Sequence, residues 1–241
     1  MIKKLVLLFL SFFDYFYQKK IIKFLKKNGL SRINLIFDVG AHKGESINLF
    51  LKNMTVKNII SFEASPLNFK FLEINKKNLE KKFPNTKITI ENIALGSDEK
   101  IIVFNQFNES SSSTMNDINQ ESKYFKRKFN LLNFRNKKDI YKSFKLKTET
   151  LDNYMKKKNL DKISFLKIDT EGYEYEILKG LKKRIEFIDT IMFEHHYDNM
   201  IVKKYTFSEI NYFLKKNNFH QIYKSKMPFR KTFEYIYKKS I

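Results

Sequence analysis

The chain has 241 residues, with 47 Lys and Arg against 26 Asp and Glu, and it contains no cysteine. The lack of cysteine excludes a disulfide framework and a thiolate metal site. A chain of this length without a Pro/Gly-rich linker favours one main domain. The formal net charge is +21, but only five basic residues are arginine, which nucleic-acid recognition favours for its bidentate geometry. We therefore interpret the charge as a solvated, lysine-rich surface and expect no specific nucleic-acid partner.

The amino-terminal 30 residues predict a helix that stands apart from the rest of the chain. Residues 5–13 are mostly apolar and follow two lysines, as in a signal peptide, but no small-x-small cleavage site follows. The apolar run is shorter than the about 20 residues of a bilayer span, and Asn28 and Gly29 provide a helix stop. Residues 1–30 are interpreted either as a lid packed on the domain or as an interfacial anchor with peripheral membrane contact through residues 1–27. We expect a cytoplasmic protein, membrane-associated if the anchor hypothesis holds.

From residue 31 to residue 241 the pattern is that of one α/β domain. Strands and helices alternate, with strands predicted at 34–39, 58–63, 87–94, 100–106, 144–148, 163–169 and 189–194, and helices at 45–52, 66–82, 151–158, 173–181 and 208–217. Such βαβ units predict a doubly wound, mostly parallel sheet with its site at the carboxyl ends of the strands. The segments 219–226 and 232–237 predict an antiparallel terminal hairpin.

The alternation is interrupted at residues 107–143. Residues 109–116, ESSSSTMN, resemble a flexible loop, and residues 119–142 are polar and basic with scattered aromatic side chains. A segment of this length inside a domain is usually functional or disordered. The sequence leaves two interpretations open, a substrate-side insertion that acts as a lid or a merely solvated insertion.

Two motifs indicate a nucleotide-like ligand. Residues 38–44, DVGAHKG, lie between a predicted strand and a predicted helix, where glycines let backbone amides approach a ligand. Their spacing is neither that of a dinucleotide fold nor that of a P-loop. Glu63 ends the second strand nineteen residues after Gly44, where a carboxylate accepts both hydroxyls of a ribose. An adenosyl ligand without pyrophosphate fits both motifs, which favours S-adenosylmethionine over NAD.

The third motif is residues 166–174, LKIDTEGYE, an apolar strand that stops at two carboxylates. A carboxylate at the end of an apolar strand is costly unless it is used or paired. Asp169 and Glu171 are therefore candidate reactive groups at the predicted cleft.

Taken in order, five segments resemble the FkbM-type methyltransferases: DVGAHKG (38–44), FEASP (62–66), NIAL (92–95), LD (151–152) and KIDTEGYE (167–174). The resemblance covers about residues 34–197. It implies a class I, Rossmann-like methyltransferase fold, S-adenosylmethionine as cofactor, and methyl transfer to a hydroxyl of a small-molecule or glycan acceptor. His42 departs from the family pattern, in which Asn is more usual.

The resemblance also implies roles for single residues. Asp38, Gly40 and Gly44 would surround the methionine end of the cofactor, Glu63 its ribose, and Asn92 and Ala94 its adenine. The candidate cofactor-binding set comprises Asp38, Gly40, His42, Gly44, Glu63, Ala64, Asn92 and Ala94. Asp169 and Glu171 would lie beside the sulfonium methyl group.

Methyl transfer to a hydroxyl requires a base for its proton. Asp169 and Glu171 are candidates, and His195 or His196 are rivals because imidazole titrates near working pH. The candidate catalytic set is Asp169, Glu171 and His195. Asp169, Glu171, Glu194 and His195 together would also suit a divalent cation, but no metal is expected.

Two further functions remain as alternatives. A ribose 2′-hydroxyl methyltransferase acting on RNA is suggested by the net charge and by the pairing of a lysine with an aspartate at Lys167 and Asp169, although no RNA-binding module is evident. A non-catalytic, basic, membrane-associated protein that keeps the fold for binding is suggested by the amino-terminal helix.

Overall fold

The computed structural model describes residues 2–108, 113–132 and 140–240. Its helices are α1 (Ile2–Lys27), α2 (Glu45–Asn53), α3 (Pro66–Lys82), α4 (Lys123–Leu132), α5 (Leu151–Lys157), α6 (Glu174–Lys179) and α7 (Phe207–Lys216). Its strands are β1 (Arg32–Val39), β2 (Thr55–Phe62), β3 (Lys87–Glu91), β4 (Ala94–Leu95), β5 (Ile101–Phe107), β6 (Asp117–Ile118), β7 (Tyr141–Glu149), β8 (Phe165–Ile168), β9 (Thr190–His196), β10 (Ile201–Val202), β11 (Phe219–Lys226) and β12 (Thr232–Lys239).

The central sheet has seven strands in the order β11-β12-β9-β8-β1-β2-β3. Neighbours from β9 to β3 are parallel, whereas β12 runs antiparallel to both β9 and β11. All four residues of β8 are buried, as expected for a central strand covered on both faces. The predicted doubly wound α/β sheet with an antiparallel carboxyl-terminal hairpin is therefore confirmed.

Two apolar cores lie on the two faces of this sheet. Alternate residues of one strand enter different cores, because side chains of a strand point to opposite faces in turn. In β1, Phe37 and Val39 belong to one core and Ile36 to the other. Packing on both faces therefore fixes the carboxyl ends of the strands, where the apolar pattern gives way to polar residues.

Helix α1 packs against the second core. Its buried residues are Tyr17, Ile21, Ile22 and Leu25. The Tyr17 hydroxyl donates to the Ser225 carbonyl over 3.0 Å, so the helix is joined to the hairpin β11–β12. No helix in the described part of the chain is long and apolar enough to cross a membrane.

The segment predicted as an insertion contains β6 and α4. It connects β5 to β7, and these two strands pair in antiparallel orientation. β7 starts at Tyr141, earlier than predicted, because Tyr141 pairs with Phe107 across the hairpin formed with β5. A small core, made by Phe107, Phe125, Ile140, Met200 and Ile201, packs the segment against the chain that follows β9.

The predicted flexible loop lies partly outside the described residues, at 109–112. Its remainder is hydrogen-bonded to the loop after β8. Thr114 Oγ1 donates to the Glu171 carbonyl over 2.7 Å, and Asn116 Nδ2 donates to the Gly172 carbonyl over 2.7 Å. Residues 113–116 therefore support the segment that carries two candidate catalytic residues.

Candidate active site

A cavity of about 1250 Å³ lies at the carboxyl ends of β1, β2, β8 and β9. One part, which we call the donor half, is lined by the ends of β1 and β2 and by the residues that follow β3. The other part, the acceptor half, is lined by residues of β8, β9 and β12, with α1 and the 107–143 segment around it. The position agrees with the rule that ligands of open α/β sheets bind at this edge.

Gly40 sets the shape of the donor half. Its φ of +84° lies in the left-handed region, and a Cβ placed there would lie 1.8 Å from the Asp169 carbonyl oxygen. Only glycine fits both constraints. The Asp169 backbone N–H also donates to the Val39 carbonyl over 2.9 Å, so the loops after β1 and β8 are in direct contact.

Asp38 lies beneath the cavity and is not among its described lining residues. It is fully buried, and its Oδ2 accepts a hydrogen bond from Ser46 Oγ over 2.6 Å. Its Oδ1 lies 3.3 Å from Lys167 Nζ. Asp38 therefore binds the first turn of α2 through Oδ2 and the Lys167 ammonium through Oδ1.

Glu63 faces the donor half with a buried carboxylate. Its Oε2 accepts from the His42 backbone N–H over 2.7 Å, and its Oε1 accepts from the Ser65 backbone N–H over 2.9 Å. Burial raises the pKa of Glu63, against the opposing effect of these amides and of His42. The Asn68 side chain also hydrogen-bonds this carboxylate, which leaves it acceptor capacity for one further donor.

The other predicted cofactor-binding residues divide into two groups. His42 and Ala64 line the cavity with Gly40 and Glu63, whereas Gly44, Asn92 and Ala94 are not among its described lining residues. Gly44 precedes α2 with a φ of +93°. Asn92 Nδ2 donates to the Glu63 carbonyl over 2.7 Å, and Ala94 pairs with Thr148 of β7. These three residues shape the loops behind the lining.

The loop after β8 is folded around Glu174, a buried carboxylate. Its Oε1 accepts from the backbone N–H groups of Thr170 (3.1 Å) and Gly172 (2.9 Å), and its Oε2 accepts from the Tyr205 hydroxyl (2.6 Å). Glu171, at the tip of this loop, has a φ of +52°, which lies in the left-handed region. Sequence reasoning assigned no role to Glu174, although it closes the KIDTEGYE segment.

Lys167 is the buried cation between the two halves. Its Nζ lies 3.3 Å from Asp38 Oδ1 and 3.3 Å from Asp169 Oδ2. Burial alone would lower the pKa of Lys167, but the carboxylates of Asp38, Asp169 and Glu194 outweigh burial and raise it. Lys167 therefore carries its charge at every working pH.

Glu194 and Glu234 form a carboxyl pair in the acceptor half. They are direct cross-strand neighbours on β9 and β12, and both line the cavity, Glu234 buried and Glu194 with 13% of its side chain exposed. Burial, followed by the Asp169 charge, raises the pKa of Glu194 well above its usual range. The same two causes raise the pKa of Glu234 to about 7. A buried pair of this kind holds a proton at neutral pH.

Of the two histidines at the end of β9, His196 faces the cavity. Its Nε2 lies 3.4 Å from Glu171 Oε2 and 3.7 Å from Glu194 Oε2. Burial alone would lower the pKa of His196, but the charge of Glu171, a hydrogen bond to Asp198 and the charge of Glu194 raise it to about 10. The ring is an imidazolium at neutral pH, so it cannot accept a proton there.

His195, the histidine in the predicted catalytic set, is not brought to the cavity. It is the neighbour of His196 on β9 and therefore points to the opposite face of the sheet. Its ring centroid lies 4.8 Å from that of Tyr197 and 5.7 Å from that of Phe207. Burial, then the charges of Lys203 and His196, lowers its pKa to about 3.

The structure thus brings Asp169 and Glu171 together with Lys167, Glu194, His196 and Glu234. Sequence reasoning missed Glu234, since it lies on β12, far along the chain from the motifs. Within the described residues, no group of three or more His, Asp or Glu side chains has an arrangement that would hold a metal ion.

Residues 38–220 match the Methyltransferase FkbM domain. The chain belongs to the FkbM methyltransferase family. This assignment confirms the resemblance read from the motifs, and with it S-adenosylmethionine as the cofactor of the family's chemistry. No curated protein matches the sequence significantly.

Solved methyltransferases share the fold of this FkbM family member at low sequence identity. Methyltransferase FkbM from Methylobacillus flagellatus KT superposes with a TM-score of 0.54 at 14% identity, over 86% of this chain and 44% of that chain. Magnesium protoporphyrin IX methyltransferase from Synechocystis PCC 6803, with bound S-adenosylmethionine, gives 0.54 at 8% identity, over 93% and 78%. TrmK of M. capricolum with S-adenosyl-homocysteine gives 0.51 at 11% identity, over 93% and 68%. This chain therefore spans less than half the length of the first of these proteins.

Proposed function

We propose that this FkbM family member transfers a methyl group from S-adenosylmethionine to a hydroxyl of a sugar, a glycan or a related metabolite. The observation that carries the proposal is the set of carboxyl groups that face the acceptor half. They belong to Asp169, Glu171 and Glu194, which are partly buried, and to Glu234, which is buried; buried Lys167 and partly buried His196 are the cations among them.

The donor half fits the cofactor. Glycine at position 40 lets the backbone of this loop lie against the Asp169 carbonyl, and Glu63 keeps a lone pair for a ribose hydroxyl beside the loop at His42. Gly40, His42, Glu63 and Ala64 would hold the cofactor directly, while Asp38, Gly44, Asn92 and Ala94 position their loops. When bound, S-adenosylmethionine supplies an electrophilic methyl group on a cationic sulfur.

The acceptor half suits a neutral molecule with many hydroxyls. Carboxylates accept hydrogen bonds from hydroxyl donors, and the protonated member of the Glu194–Glu234 pair donates one. A phosphate group at the same place would meet an excess of buried negative charge, which costs free energy in a poorly solvated site. The buried charge of the cavity thus favours a sugar over a nucleic-acid backbone, whatever the net charge of the surface.

Asp169 is the base that we assign to the acceptor hydroxyl. Its side chain is 30% exposed, at the edge of the loop that touches Gly40, so it borders both halves. Lys167 holds one of its oxygens, and the other is left for the acceptor O–H. Glu171 is engaged by the His196 imidazolium and serves to orient the acceptor. Holding donor and acceptor in contact supplies much of the catalysis of such a transfer.

Calorimetry and methyl-transfer assays test this function. Titration with S-adenosylmethionine should show saturable binding, and label from radioactive cofactor should appear in extracted glycans or sugar metabolites. Absence of binding at millimolar cofactor would overturn the assignment in favour of a non-catalytic protein.

Methylation of RNA is the second candidate, because basic side chains at the solvent edge of the cavity favour it. These exposed lining residues are Lys123, Arg127, Lys226 and Lys231. Label that appeared in total RNA and not in glycans would decide for this candidate. Salt dependence would support it further, since each phosphate contact steepens the loss of affinity with salt.

A further inference from the structure

Helix α1 has two faces of different composition. The inward face is fixed by burial of Tyr17, Ile21, Ile22 and Leu25. The opposite face points to solvent, and it is aromatic in its first part and basic in its second. Its described members are Phe12, Tyr15, Phe16, Lys19, Lys20, Lys23, Lys26 and Lys27.

The aromatic part is unusually exposed for a protein surface. Phe12 is 56% exposed and Phe16 is 52% exposed, and their ring centroids lie 4.8 Å apart. Phe229, in the turn between β11 and β12, is 66% exposed and extends the patch through an edge contact with Phe13. The sequence before them, LVLLFL at residues 5–10, is entirely apolar. Contiguous exposed apolar surface of this kind marks an interaction site.

The basic part has no counter-charge on its own face. Asp14 is the one acidic residue in the sequence of α1, and it is turned to the body of the protein, 2.9 Å from Arg230. Within the part of α1 whose side chains are described, the outward face therefore combines aromatic groups with five lysines and carries no carboxylate. This is the composition of helices that lie in the interface of an anionic bilayer.

We propose that the outward face of α1, together with Phe229, binds the surface of an anionic lipid bilayer. The helix lies along the membrane plane, with its aromatic part among the acyl-chain ends and its lysines on the headgroups. Phe229 and the exposed Gln18 also line the cavity. Membrane binding therefore sets one edge of the cavity against the bilayer surface.

Sedimentation with vesicles tests the charge requirement. The full chain should sediment with phosphatidylcholine vesicles that contain phosphatidylglycerol, and weakly or not at all with phosphatidylcholine alone. Each lysine near an anionic surface changes partitioning by about fivefold, so K23Q/K27Q should weaken binding roughly 25-fold. The matched control is K77Q/K81Q, two exposed lysines at the same spacing on α3, which should bind as the wild type does. Equal loss in both variants, or equal binding to both vesicles, would overturn the proposal.

Fluorescence tests the insertion of the aromatic part. The chain contains no tryptophan, so Phe12→Trp and Phe71→Trp each introduce a single reporter, at residues that are 56% and 52% exposed. Anionic vesicles should shift the emission of Phe12→Trp to the blue and leave Phe71→Trp unchanged. A blue shift that grows with protein concentration without vesicles would instead assign the face to a second copy of the chain. Neither measurement requires methyl transfer, so its outcome is independent of the proposed function.

Discussion

The two halves of the cavity are built by different means. The donor half is formed mainly by the backbone. Gly40 has a φ in the left-handed region, Glu63 accepts hydrogen bonds from two backbone amides, and both residues belong to short motifs at the ends of β1 and β2. The acceptor half consists of buried side-chain charge gathered from β8, β9 and β12. Under the proposed function, the cofactor constrains the first half and the acceptor constrains the second.

The largest effect should come from a methyl group added to the donor half. In Gly40→Ala the new Cβ would lie 1.8 Å from the Asp169 carbonyl oxygen, and the alanine would have to adopt a left-handed φ. We expect the free energy of unfolding to fall by roughly 3–5 kcal/mol and cofactor binding to be lost, measured by urea denaturation and calorimetry.

Gly29→Ala is the matched control for this clash. Its φ of +96° is similar, but no atom lies within 4 Å of the added Cβ. Only the conformational cost of about 1–2 kcal/mol should remain, with cofactor affinity unchanged. Equal effects of the two substitutions would show that the contact with Asp169 is irrelevant to the donor half.

If the two halves have these separate roles, substitution of Asp169 should affect turnover, whereas substitution of Glu63 should affect cofactor affinity. Asp169→Asn should lower turnover by about 10²–10⁴-fold, the usual contribution of a general base, with the Kd of S-adenosylmethionine nearly unchanged. Glu63→Gln should raise that Kd by about 10-fold or more, as for hydrogen bonds to a charged group, before turnover at saturation falls. Unchanged turnover in Asp169→Asn would remove Asp169 from the mechanism.

The buried carboxyl pair predicts that stability depends on pH. The pKa of Glu234 is raised from 4.5 to about 7 in the folded protein, so the folded state holds a proton that the unfolded state releases between these values. The Glu234 contribution to stability should therefore fall as pH rises from about 4.5 to 7, by up to about 3 kcal/mol. His195, whose pKa is lowered to about 3, acts in the opposite direction below its ordinary pKa of 6.5 and is common to the wild type and Glu234→Gln. In urea denaturation, the free energy of unfolding of the wild type minus that of Glu234→Gln should fall over this window. A difference that stays constant or rises over this window would contradict the raised pKa of Glu234.

The smallest effect concerns the loop that both halves share. Tyr205→Phe removes the hydroxyl that donates to Glu174 Oε2 over 2.6 Å and leaves the ring in place. We expect a loss of about 1–2 kcal/mol in the free energy of unfolding and a modest fall in turnover. The Kd of the cofactor should stay the same, which calorimetry checks.

The donor half could be predicted because its signals are local. Gly40 and His42 lie within a few residues of the strand that positions them, and Glu63 directly follows the next strand; Gly44, predicted with them, is not among the described lining residues. The strand alternation of the sheet is equally local, since buried parallel strands are continuous apolar runs.

The acceptor half could be predicted only in part. It depends on which face of the sheet each strand residue points to, and on pairing between strands that are far apart in the sequence. A difference of one residue on β9 decides that His196 and not its neighbour His195 faces the cavity. Glu234 reaches the cavity because β12 pairs with β9 in a particular register, which no short motif encodes. The orientation of α1 likewise depends on contacts with a hairpin at the other end of the chain, such as Tyr17 with Ser225.

The contact of Gly40 with the Asp169 backbone has an evolutionary consequence. Because no side chain fits at position 40, the spacing between the cofactor loop and the catalytic loop is fixed for as long as the fold is kept. We therefore expect homologous proteins that take other acceptors to differ in the walls of the acceptor half. In this chain α1 and α4 are walls that carry none of the residues assigned to the proposed reaction, whereas β12 contributes Glu234.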